Sequence, residues 1–134
     1  MGEKKVTVAA VQAAFGNDRE KNVAKVEALV RDAAGKGAQV VVVPELFETP
    51  YFCKKEREDA FDLSRGVAGN PTIERLQSLA KQLGVAIPVS FFERAGRVYF
   101  NSVAMVDADG ALLGVYRKSH IPDGPGYEEK FYFR

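Results

Sequence analysis

Gln39-Val40-Val41-Val42-Val43-Pro44-Glu45 is the stretch on which the fold turns. Four consecutive β-branched valines leave both sides of a strand apolar, which predicts a short buried strand. Pro44 ends it, having no N–H to give to a sheet ladder. Upstream, Val23, Val26, Val30 and Ala33 recur at steps of three and four, with Lys21, Lys25, Arg31 and Asp32 between them. This spacing predicts an amphipathic helix, capped by Asn17 or Asp18 and stopped at Gly35-Lys36-Gly37. Before the helix, Lys5 to Ala13 alternates Val6, Val8, Ala10 and Gln12 with Thr7, Ala9 and Val11. Both sides are largely apolar, so this is expected to be a strand covered on both faces.

Downstream, the pattern loosens from Leu46 to Asn70, with a helical stretch expected around Glu56 to Arg65. Asn70-Pro71 then opens a clearer helix, with Ile73, Leu76, Leu79 and Leu83 as its stripe and Gly84 as its stop. Val85 to Phe92 reads as a strand in which Pro88 marks a bulge or an edge. A turn at Glu93-Arg94-Ala95-Gly96 leads to a strand from Arg97 to Val106. Asp107-Ala108-Asp109-Gly110 turns into another from Ala111 to Arg117. After Lys118, Pro122, Gly124, Pro125 and Gly126 read as loop. Crossover helices followed by two hairpins imply an α/β fold, a mixed sheet covered by helices on at least one face. No glycine-rich phosphate loop follows the first strand, which argues against a doubly wound nucleotide fold.

Composition narrows the function classes. The 134 residues hold 19 Lys+Arg against 18 Asp+Glu, one His, one Cys and no Trp. That length suits a single core. A formal net charge of +1 lacks the basic footprint of nucleic-acid or anionic-membrane binding, so neither partner is expected. No apolar run is long enough to span a membrane. One cysteine forms no internal disulfide, which fits a reducing, cytoplasmic setting. The chain closes on Lys130-Phe131-Tyr132-Phe133-Arg134, an ending that reads as cut in mid-pattern.

Glu45 is the first candidate for chemistry, because open α/β sheets place ligands at the carboxyl ends of their strands. A partly desolvated carboxylate there suits general-base work, although position alone favours a capping or solvated loop residue. Lys118 stands past the end of another strand, where a fixed ammonium can stabilise an oxyanion; its plainer reading is a charged strand end. Glu128 and Glu129 lie among Tyr127, Phe131, Tyr132 and Phe133, a setting that can desolvate a carboxylate or pair it with a lysine. Equally, it can be a surface loop of mixed charge. Cys53 and His120 invite a nucleophile pair only because each is alone of its kind. A lone cysteine in Tyr51-Phe52-Cys53 is more often a small packed group. One His and one Cys leave a metal site short of ligands.

Two of these segments carry a family pattern. Val41-Val42-Val43-Pro44-Glu45-Leu46-Phe47 and Tyr116-Arg117-Lys118-Ser119-His120-Ile121-Pro122 resemble paired signatures of the nitrilase superfamily of carbon–nitrogen hydrolases. The opening Val6 to Gln12 is similar to that family's first strand. Asp123 to Phe133 and Thr49 to Cys53 resemble the branch that hydrolyses N-carbamoylated amines. The resemblance implies a nitrilase-like α-β-β-α sandwich, of which residues 1–134 form the N-terminal part of one domain. It also implies Glu45 as general base, Lys118 as stabiliser of the tetrahedral intermediate and Glu129 as the supporting second glutamate, with Glu128 at a position often Gln. The nucleophilic cysteine of that pattern falls beyond this sequence, and Cys53 lies in the wrong segment to replace it. The implied reaction converts a small carbamoyl amine, N-carbamoylputrescine foremost, with water to putrescine, ammonia and carbon dioxide, without a cofactor. N-carbamoyl amino acids are the alternative substrates. The implied assembly is a homo-oligomer. A non-catalytic module that pairs with hydrolase subunits through an open sheet is the competing expectation.

Overall fold

A computed structural model describes residues 2–134. Its elements are β1 (Val8–Ala10), α1 (Arg19–Gly35), β2 (Val40–Val42), α2 (Pro71–Leu83), β3 (Ile87–Ala95), β4 (Val98–Val106), β5 (Leu112–Arg117) and α3 (Glu129–Tyr132). The valine run forms β2, paired in parallel with β1 through Val8↔Val40 and Ala10↔Val42. The helical crossover through α1 makes that parallel pairing possible. β3, β4 and β5 form an antiparallel meander. A parallel bridge between Val40 and Ala86 joins the two sheets. It is made by Val41 N–H to Ala86 O at 3.0 Å and Ala86 N–H to Gln39 O at 2.9 Å.

The helix ends follow their capping residues. Asp18, not Asn17, opens α1, its Oδ1 accepting from Lys21 N–H at 3.1 Å. Asn70 opens α2 by accepting from Thr72 N–H and Ile73 N–H at 3.1 and 3.2 Å. Gly84 closes α2 at φ 65°, where a Cβ is unfavourable. Both helices press on one face of the sheet. Val23, Val26 and Val30 of α1 and Ile73, Leu76 and Leu79 of α2 pack with Val41, Ile87, Val89, Phe91, Ala104 and Val106. Each valine, leucine, isoleucine or phenylalanine among them contributes about 1.5–3 kcal/mol by leaving water. The strand period of two sends Phe92 to the opposite face, where it joins Leu46, Cys53, Ala60, Tyr132 and Phe133.

Several elements differ from their sequence readings. β1 is covered on one face only: Ala9 and Val11 pack against the core, while Val6 and Val8 are 60% and 67% exposed. The same holds for β2, where Val41 is buried and Val42 is open. Apolar residues on both sides of these strands therefore do not mean burial on both sides within this chain. The irregular region holds two 3-10 segments, Phe52–Lys54 and Glu58–Leu63, in place of a helix from Glu56 to Arg65. β3 runs on to Ala95, so the hairpin turn shrinks to two residues, with Gly96 at φ 64°. Pro88 sits on an edge: among the described residues the outer side of β3 is bridged at Glu93 alone, with Ala86, just before the strand, bridged to Val40. The register shift lies elsewhere, between Met105 and Val106. The segment read as loop after Lys118 ends in α3.

Candidate active site

The chain direction after β2 is set by one backbone conformation. Leu46 has φ 52°, the only non-glycine residue with positive φ among those described. A γ-branched side chain in this region is strained. Two contacts hold it there: the Leu46 side chain is buried against the aromatic cluster, and its N–H donates to Ser90 Oγ at 2.8 Å. The kink turns the chain off the end of β2 at Glu45 and leaves that side chain half exposed.

Lys118 arrives from the end of β5. Its N–H donates to Asn101 O on β4 at 2.8 Å, prolonging the β4–β5 ladder by one residue. Its Nζ lies 3.0 Å from Glu45 Oε1 and 3.0 Å from Glu129 Oε2. Glu129 opens α3 and is almost wholly buried. Its other oxygen, Oε1, accepts from Tyr51 Oη at 2.7 Å. Asn101 Nδ2 donates to Glu45 Oε1 at 2.5 Å. The three candidate residues are thus one network, with Asn101 at one end and Tyr51 at the other.

The electrostatics follow from this geometry. Burial works against the Lys118 charge, but the hydrogen bonds and charges of Glu45 and Glu129 outweigh it, and the ammonium is held above its ordinary range. Burial, and then the bond to Glu129, push the Tyr51 phenol well up, so it stays a donor. Both Glu129 oxygens are occupied. Glu45 Oε1 accepts twice, while its Oε2 takes no hydrogen bond among the described residues. Of the two carboxylates, Glu45 therefore has the oxygen free to receive a proton. Glu129 is fixed as a counter-charge.

Cys53 is fully buried beside this network, and burial, then the charges of Glu129 and Glu45, push its thiol up to about 12. Such a thiol is a poor nucleophile. His120 is exposed and makes no hydrogen bond with it, so the Cys53–His120 pair does not form. Glu128 donates its N–H to Cys53 O at 2.7 Å and its side chain takes no part in the network. Among the described residues, no three His, Cys, Asp or Glu side chains gather to hold a metal ion, and no helix is long and apolar enough to cross a membrane. Asn101, Tyr51 and Ser90 escaped the reading of the sequence. Their roles come from strand register and from a loop folding back, which no local motif records.

A carboxylate with a free oxygen, a fixed ammonium and a buried second carboxylate, at the ends of strands in a mixed sheet, suit acyl transfer from nitrogen. Residues 7–134 match the carbon-nitrogen hydrolase family, and the chain belongs to it. It is similar to the N-carbamoylputrescine amidase of Solanum tuberosum, 58% identical over 99% of this chain and 45% of that protein. It is also 45% identical to a citrullinase of Francisella tularensis over 96% of this chain and 45% of that protein. A crystal structure of a carbon-nitrogen hydrolase from Helicobacter pylori G27 superposes with TM-score 0.88 at 36% identity, covering 96% of this chain and 44% of that one. The nitrilase-like fold is therefore present, and the chain spans slightly less than half the length of these relatives.

Proposed function

We propose that this chain supplies the base, the cation and the counter-charge for hydrolysis of a carbamoyl C–N bond, with N-carbamoylputrescine as substrate. The observation that carries the reading is Lys118 Nζ held 3.0 Å from both Glu45 and Glu129. The identity to N-carbamoylputrescine amidases supports the substrate. The nucleophile is a cysteine thiol outside residues 1–134, since Cys53 is buried and holds its proton. Glu45 Oε2 takes the proton of that thiol, and the thiolate attacks the carbamoyl carbon. Lys118 offsets the charge on the tetrahedral oxygen. As the C–N bond breaks, Glu45 returns the proton to the departing amine. Water, activated by the same carboxylate, then cleaves the thioester-type intermediate and frees the thiol. The carbamic acid released breaks its remaining C–N bond spontaneously to give carbon dioxide, so that the products are putrescine, ammonia and carbon dioxide.

A chimera tests this reading: residues 7–134 replace the matching part of the Solanum tuberosum relative, and ammonia release from N-carbamoylputrescine is followed. Activity is expected, and Glu45→Gln should lower it by about 10²–10⁴-fold, the usual weight of a general base. A second expectation is that the isolated chain releases no ammonia. Activity of the isolated chain that disappears in Cys53→Ala would overturn the assignment of roles. The open apolar positions Val6, Val8, Val42 and Leu113 favour a second reading, a non-catalytic module that pairs with hydrolase subunits. An inactive chimera that still co-purifies with such a subunit would support it.

A further inference from the structure

Asn101 touches both working residues of the site from a strand that contributes no charge to it. Its side-chain Nδ2 donates to Glu45 Oε1 at 2.5 Å, and its main-chain carbonyl accepts Lys118 N–H at 2.8 Å. Lys118 Nζ reaches the same Glu45 oxygen at 3.0 Å. Asn101 is 4% exposed and lies in the middle of β4, opposite Phe92 in the β3 register. A buried amide in a strand interior costs stability unless its hydrogen bonds are made, and here the Glu45 carboxylate accepts one of them. The amide is also the right group chemically. It donates without carrying charge, so it adds no second cation to compete with Lys118, and it does not titrate.

We propose that Asn101 is the positioning residue of this site, holding Glu45 Oε1 so that Oε2 alone faces the reaction and Lys118 stays paired. The inference rests on the reading of Glu45 and Lys118 given above and deepens it. With the Asn101 donor removed, one bond from Lys118 holds the half-exposed Glu45 carboxylate, which is then free to rotate into water. Lys118 in turn keeps Glu129 as its one fixed partner. Nothing else among the described residues donates a side-chain hydrogen bond to Glu45.

Competitive acetylation of this chain with trace acetic anhydride at pH 8, read by mass spectrometry, tests this without turnover. Only a neutral amine reacts, so Lys118 should lag behind the exposed Lys4 and Lys81. Asn101→Leu keeps the volume and removes the donor; Asn101→Ser shortens the side chain out of reach of Glu45. In either variant, once thermal melting shows it folded, Lys118 acetylation should rise about three- to tenfold against Lys4 and Lys81, the response to half a unit to one unit of lost proton affinity. Glu45→Gln should give a rise of the same size. If Lys118 reacts at the wild-type rate in the folded Asn101 variants, the proposal fails, whether or not Glu45→Gln raises it. An inactive chimera with faster Lys118 acetylation would remove the proposed function and leave the positioning role standing.

Discussion

Arg117 reaches across β4 to Glu93 on β3, with Nε 2.9 Å from Oε2 and Nη2 2.6 Å from Oε1. Ser102 Oγ donates to the same Oε2 at 2.6 Å, and the guanidinium lies 3.9 Å above the Phe100 ring. Two parallel N–H bonds fix orientation as well as distance. Arg117 is therefore a peg that holds the end of β5, and Lys118 is the next residue. The strand that delivers the ammonium is locked one residue before it.

Glu93→Gln should lower stability by about 2 kcal/mol in urea unfolding at pH 7, the weight of hydrogen bonds to a charged group. Arg117 first, and Ser102 after the opposing effect of burial, hold the Glu93 carboxyl below its ordinary value of 4.5. A depressed folded value means this contribution is complete above about 4.5 and is lost as pH falls through the folded value. The gap between wild type and variant should be full at pH 7 and close progressively below pH 4.5. A gap of constant size down to pH 2 would contradict the pairing.

Ser90→Ala removes the acceptor of Leu46 N–H and leaves a buried donor unpaired. The cost should be about 1–3 kcal/mol by thermal or urea unfolding. Loss of kcat in the chimera should accompany it, because the kink at Leu46 aims Glu45. Retained stability would mean that burial of the Leu46 side chain alone enforces its left-handed backbone.

Cys53 should resist alkylation. A thiol raised from 9.0 to about 12 holds about a thousandfold less thiolate near neutral pH. Iodoacetamide at pH 7.5 should modify Cys53 slowly in the folded chain and rapidly in 8 M urea. Equal rates in the two conditions would contradict its burial.

Tyr51→Phe removes the hydroxyl from Glu129. Phenolate absorbance followed through alkaline pH should show a tyrosine that ionises only as the chain unfolds, and Tyr51→Phe should shrink the absorbance step at unfolding, since burial and then Glu129 raise that phenol. In the chimera, kcat should fall about tenfold as Glu129 loses one of its two anchors.

The helices and strands were legible where a period was uninterrupted. The steps of three and four through Val23 and Ile73, and the capping residues Asp18 and Asn70, are local signals that packing had no reason to overrule. Exposure was not legible: Val42 and Val8 read as buried because composition cannot say which neighbours a strand has. Glu45 and Lys118 stood out because each follows a strand directly. Glu128 and Glu129 stood out together for their aromatic setting, and choosing Glu129 needed the family resemblance, since two adjacent carboxylates in an irregular segment have no period to tell them apart. Asn101 was hidden for a different reason. Its register opposite Phe92 and its carbonyl toward Lys118 exist only after three strands have aligned.

The network joins positions 45, 101, 118 and 129 through side chains from a loop, the middle of one strand, the end of another and a single turn of helix. At ribosomal rates of about 5–20 residues per second, about 4–17 seconds separate the emergence of Glu45 from that of Glu129. During that interval Lys118 lacks its buried counter-charge and Glu45 lacks its anchor for most of the time. The charge network is therefore dated: it closes only once Glu129 has emerged to meet Lys118, and a shorter nascent chain carries it open.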